Sequence, residues 1–106
     1  MYGMQKRVGL ALATLASPLV LILDEPFSGL DLTHIKTLEQ AIRDRSTAGQ
    51  STVLSTHVLS FCARLCHQVQ VLSDGKLRRV EPWDSLGLAA REEAIEKVFF
   101  QVGDRR

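Results

Sequence analysis

The sequence predicts an α/β fold in which parallel strands are flanked by helices, and three observations predict it. Residues Leu19–Leu23 form an uninterrupted apolar run, opened by Pro18 and closed by Asp24-Glu25-Pro26. A helical pattern over residues 32–47 leads from that run to a second short strand pattern, Thr52–Leu54. Two further short runs, Val69–Leu72 and Lys76–Val80, flank the turn Ser73-Asp74-Gly75. A strand, a helix of about four turns and a second strand make a crossover unit, so the first two strands should be parallel. The last two, joined by an Asp-Gly turn, should form an antiparallel hairpin.

Each element has a local reason. Residues 5–17, rich in Leu and Ala and apolar on most sides, read as a buried helix. Pro18 ends it, because a residue before proline disfavours the α region. Leu19–Leu23 is too short for a free helix, and its flanks favour a strand. A wholly apolar strand calls for cover on both faces. Asp31 is placed to cap the helix at 32–47, whose Ile35, Leu38, Ala41 and Ile42 share a face. Glu39 and Arg43 are spaced as an exposed pair, and Gly49 stops the helix. A short helix at 58–66 should bury Leu59, Cys62, Leu65 and Cys66. Residues 82–88 are irregular around Trp83 and Gly87. A final helix at 89–101 carries Ile95, Val98 and Phe99, ahead of a frayed tail at Gly103–Arg106.

Composition excludes several function classes. With 106 residues there is room for one domain at most. The chain is 45% hydrophobic and 24% charged, which fits a globular protein rather than a disordered one. A net charge of +1 gives no basic footprint for nucleic acid. Cys62, Cys66 and His67 form a Cys-x3-Cys-His group, but the spacing is unusual for zinc and no fourth ligand is near in sequence. The two cysteines therefore read as apolar residues. Lys6 and Arg7 before apolar Val8–Ala16 loosely match a secretory leader, but the same stretch reads equally as a buried helix. Thr14, Ser17 and Pro18 interrupt it short of a membrane span.

The chemistry concentrates at strand ends. Asp24 and Glu25 emerge at the carboxyl end of the first strand, where open α/β sheets keep their ligands. An Asp there suits Mg²⁺, which prefers oxygen donors and keeps several waters. A Glu beside it suits orienting or deprotonating a water. His57 follows the second strand. Plainer readings stand beside these: solvated acids at a strand end, a loop histidine, and Asp31 as a helix cap alone.

Order and spacing say more than any one motif. The sequence resembles the carboxyl-terminal half of the ATP-binding subunit of an ABC transporter, over nearly its whole length. Leu19–Asp24 is similar to the Walker B strand and Glu25 to the glutamate that follows it. Ser28-Gly29-Leu30-Asp31 is similar to the D-loop, and His57 to the switch histidine. Gly3-Met4-Gln5-Lys6-Arg7 resembles the end of the signature motif. The Ser73–Lys76 hairpin also fits, and Glu93–Phe99 resembles, more weakly, the tail of exporter subunits.

The resemblance implies a partial P-loop NTPase fold. It divides the chain into a helical-subdomain remnant at 1–17, a core at 18–80 and an extension at 81–106. It implies that Asp24 helps hold Mg²⁺ on ATP, that Glu25 polarises the attacking water, and that His57 contacts the γ-phosphate. Gly3 and Gln5 would face the ATP of a partner subunit, and Asp31 would lie at the dimer seam. Gly3 and Gln5 also read as part of a frayed terminus. The implied partners are a second ATP-binding subunit and a membrane permease, with the chain at the inner face of the cell membrane. No Gly-x4-Gly-Lys-Ser/Thr spacing occurs in the sequence. The expectation is therefore a chain that starts inside the signature motif, lacks its amino-terminal half, and neither holds nor hydrolyses ATP alone. The alternative is a non-catalytic module that docks on another nucleotide-binding subunit.

Overall fold

A computed structural model describes residues 18–103, which form two compact units that divide between His57 and Val58. The sequence-predicted helix at 5–17, and Gly3 and Gln5 with it, lie outside the described residues.

In the first unit, strand β1 (Val20–Asp24) leads through a turn into helix α1 (Leu32–Thr47) and back to strand β2 (Ser51–Ser55). The strands are parallel, as the crossover requires, with Val20 opposite Ser51 and Asp24 opposite Ser55. Helix α1 begins where predicted because Asp31 accepts a hydrogen bond from the His34 amide at 3.0 Å. It ends in a paired backbone lock: Gly49 N–H donates to Ser46 O at 3.0 Å and Gln50 N–H to Arg45 O at 2.8 Å. That lock needs a left-handed residue, and Gly49 supplies it at φ 81°.

Leu23, Pro26, Phe27, Leu38 and Ile42 are the buried apolar residues among the described residues of this unit. Two expectations fail here. The apolar strand is covered on one side only: Leu23 is buried, but Ile22 is 74% and Val20 58% exposed, and Val53 beside them is 56% exposed. Leucine content reports an apolar strand, not whether a second layer lies over it. Likewise Glu39 and Arg43 approach at 3.8 Å, but Glu39 is a buried residue rather than half of an exposed pair.

Arg45 is also buried, and it ties the chain crossing together. Its guanidinium donates to Thr52 Oγ1 (2.9 Å), Pro18 O (3.0 Å), Gln50 Oε1 (3.3 Å) and Ser51 O (2.7 Å). Arginine's planar fork of donors suits such a multi-acceptor niche, and the acceptors satisfy a buried charge.

In the second unit, helix α2 (Leu59–Leu65) precedes strands β3 (Gln70–Ser73) and β4 (Lys76–Arg79) and helix α3 (Leu88–Gly103). The hairpin has the expected two-residue turn, with Asp74 at φ 52° and Gly75 at φ 74° and Ser73 opposite Lys76. Val69, Val71, Val80, Trp83 and Ile95 form a buried cluster, with Leu59, Cys62, Cys66, Ala94 and Val98 packed against it. On α2 the fully buried residue is Ala63, while Leu59, Cys62, Leu65 and Cys66 are half-buried. Trp83 is pinned by its indole N–H, which donates to Cys66 O at 2.8 Å, and by the Arg91 guanidinium 4.8 Å over its ring. Among the described residues, no helix is long and apolar enough to cross a membrane.

Candidate active site at the carboxyl end of the parallel pair

Parallel pairing sets Asp24 and Ser55 opposite each other at the last rung, on the exposed side of the sheet. Their side chains meet: Ser55 Oγ donates to Asp24 Oδ1 at 2.5 Å. The chain then turns sharply. Glu25 has φ 46°, a left-handed conformation uncommon for a residue with a side chain, of the kind that costs roughly 1–3 kcal/mol and clusters at functional sites. Two bonds hold it. The Glu25 amide donates to Ser55 O at 2.9 Å and to Ser55 Oγ at 3.2 Å. Ser55 thus fixes both acids, one through its side chain and the other through its backbone turn.

This turn swings the Glu25 side chain to the residues that follow β2. His57 Nδ1 lies 2.7 Å from Glu25 Oε1, and the His57 amide donates to the same oxygen at 3.1 Å. The hydrogen bond from His57 is the largest cause that holds the Glu25 carboxyl below its usual range, and desolvation opposes it. The carboxylate is therefore ionised across the neutral range. A base works best with a pKa near the working pH, so this acid is suited to orient a water rather than to take its proton. His57 is 85% exposed at its side chain, so its ring is open to a ligand from solvent.

Of the sequence-predicted residues, Glu25 and His57 therefore meet beyond the ends of β1 and β2, and Asp24, the last residue of β1, is bonded to Ser55 beside them in sequence. Asp24 offers exposed carboxylate oxygen, which fits a hard cation such as Mg²⁺. Asp31 does not join them. It caps α1, and its Oδ1 also sits 2.6 Å from His34 Nδ1. Gly3 and Gln5 fall outside the described residues. Sequence reasoning missed Ser55 as a site residue; its signal was the register, since equal strand lengths place it beside Asp24. Cys62 and Cys66 form no disulfide, and among the described residues no group of three or more His, Cys, Asp or Glu side chains could hold a metal ion.

No family model matches the chain. Individual proteins do. Over 104 residues, 97% of the chain, it is 39% identical to the bacitracin transport ATP-binding protein BcrA of Bacillus licheniformis. Over 97 residues, 92% of the chain, it is 32% identical to the lantibiotic transport ATP-binding protein SrtF of Streptococcus pyogenes. Over 74 residues, 70% of the chain, it is 39% identical to an uncharacterized ABC transporter ATP-binding protein of Methanocaldococcus jannaschii. The chain spans only 33%, 40% and 28%, respectively, of these relatives' own lengths.

Proposed function

We propose a function from one premise: the chain belongs to the ATP-binding proteins of ABC transporters and matches a segment of them. It is the part that carries the hydrolytic carboxylates, within a P-loop NTPase fold, and it couples MgATP hydrolysis at a dimer interface to transport. The observation that carries this reading is the convergence of His57 Nδ1 and the His57 amide on Glu25 Oε1, one residue from Asp24.

The roles follow from that arrangement. Asp24 helps hold Mg²⁺, steadied by Ser55 on Oδ1. When bound, the cation supplies charge neutralisation on the phosphates. Glu25, kept ionised by His57, orients the attacking water. The exposed His57 ring reaches the γ-phosphate. Phosphoryl transfer demands mostly positioning and electrostatics, which is what two acids and an imidazole on adjacent strand ends provide.

Around this site, residues 1–17 would be a remnant of the helical subdomain, 18–80 the core and 81–106 an extension. Gly3 and Gln5 would face the partner's ATP, and Asp31 the seam between subunits. A permease and a second ATP-binding subunit would hold the chain at the inner face of the membrane. Export is the proposed direction, on the resemblance of the Glu93–Phe99 stretch to the tail of exporter subunits. The 106 residues contain no phosphate-loop spacing, so ATP turnover would require that loop from another segment.

The test supplies it. The chain is co-expressed with the phosphate-loop half of the bacitracin transport relative, and ATP turnover is measured for the pair and for a Glu25→Gln variant. Turnover in the pair, absent from either half and reduced about 100-fold or more in the variant, is expected. Equal turnover with and without the carboxylate contradicts the assignment. Micromolar MgATP binding by the 106 residues alone would contradict the dependence on a supplied loop.

A further inference from the structure

Asp24 ends β1 with its two carboxylate oxygens in unlike settings. Oδ1 accepts the Ser55 hydroxyl at 2.5 Å. Oδ2 accepts no hydrogen bond from a described residue, and Asp24 is exposed. Two further bonds keep the Ser55 hydroxyl in place. Its oxygen accepts the Glu25 amide at 3.2 Å, so its own proton points away from that amide and toward the carboxylate. The same amide donates to Ser55 O at 2.9 Å, and Ser55 pairs with Asp24 at the last rung of the sheet. The hydroxyl is thus held from both sides, as acceptor to Glu25 and donor to Asp24.

This asymmetry bears on which cation the carboxylate can hold. Ca²⁺ takes six to eight oxygens and accepts a carboxylate by one oxygen or by both. Mg²⁺ takes six in near-ideal octahedral geometry, keeps several waters, and uses one or two carboxylates. A grip on both oxygens of Asp24 sets the cation against the Ser55 hydroxyl proton. It also gives up a hydrogen bond to a charged group, which is worth more than a neutral one. A grip on Oδ2 alone leaves that bond intact. Outer partners of this kind commonly tune a ligating carboxylate.

On the reading that Asp24 holds the cation of ATP, we propose that Ser55 determines cation specificity: by occupying Oδ1 it makes Asp24 a one-oxygen ligand, which favours Mg²⁺ over Ca²⁺.

The test titrates the full chain with MgCl₂ and, separately, with CaCl₂ at fixed ionic strength and neutral pH. The Asp24 carboxyl carbon is followed by nuclear magnetic resonance, and relative affinities come from the initial slopes. Ser55→Ala should tighten Ca²⁺ about 10-fold relative to Mg²⁺, the worth of a hydrogen bond to a charged group. Ser55→Thr, which keeps the hydroxyl, should discriminate as the parent does. Should Ser55→Ala fail to fold, Ser55→Cys carries the comparison, because a thiol of similar shape is a weak donor. The Glu25–His57 contact serves as the fold check in each variant. A merely structural serine predicts that both cations weaken together when it is lost, so an unchanged Mg²⁺-to-Ca²⁺ ratio in Ser55→Ala overturns this inference alone. An Asp24 carboxyl that responds to neither cation overturns it together with the Mg²⁺ role given to Asp24.

Discussion

Residues 58–103 gather a buried apolar cluster around Trp83, although Leu72, Leu77, Leu88, Phe99 and Phe100 stay exposed, whereas residues 18–57 leave Val20, Ile22 and Val53 exposed on one side of their sheet. In the second unit Val69, Val71, Val80 and Ile95 pack with that indole, and helices supply the other wall. In the first, Leu23 faces inward while Val20, Ile22 and Val53 face out. The two units therefore hold their shape by different means. One rests on apolar burial. The other leans on polar ties: the four acceptors around Arg45, the lock at Gly49, and Ser55 between the two acids. The candidate chemistry sits in the unit held by these polar ties. A hydrogen-bonded strand end fixes side chains in direction, which a catalytic group needs, and leaves them open to solvent, which a ligand needs.

The largest test of this contrast removes the indole. Trp83→Ala should cost the second unit about 3–5 kcal/mol, enough to abolish its cooperative unfolding. The Glu25–His57 contact lies within the first unit and should persist by nuclear magnetic resonance. Arg45→Met comes next. It strands the carbonyls of Pro18 and Ser51, and the loss of charged hydrogen bonds should destabilise the first unit by about 2 kcal/mol in urea unfolding. Ser55→Ala should cost about 1 kcal/mol and shift the carboxyl resonance of Asp24, because it removes the hydroxyl that donates to that carboxylate and accepts from the Glu25 amide. Ile22→Thr is the smallest. At 74% exposure it should change stability by no more than about 0.5 kcal/mol. A loss of several kcal/mol there would mean that the open side is covered in solution.

Legibility in the sequence divides along the same line. Helix α1 was readable end to end, because Asp31 caps it and Gly49 takes the left-handed position that stops it. The hairpin was readable from Asp74-Gly75, and the parallel pair from the length of the crossover. These are local signals, set by dihedral preference. What stayed hidden depends on neighbours distant in sequence. The cover over Ile22 is set by what lies across the sheet, not by the apolar run itself. The burial of Glu39 and Arg45 depends on acceptors and packing that their own charges do not announce. Ser55 becomes a site residue only through a register bond 31 residues back, and Glu25 reaches His57 only through its unusual turn. The acids and the imidazole were legible as residue types at strand ends; the bonds that aim them were not.

The central claim is that His57 and Glu25 are locked together beside Asp24. Their bond holds the Glu25 carboxyl below the ordinary 4.5. The folded value is therefore lower than the unfolded one, so the contact is fully present above pH 4.5 and is lost as pH falls through the lower folded value. The most direct measurement is a carbon-13 carboxyl titration of Glu25 in the parent and in His57→Ala. The parent should titrate with a midpoint below 4.5, and the variant should return toward 4.5. Identical midpoints in the two proteins would contradict the account.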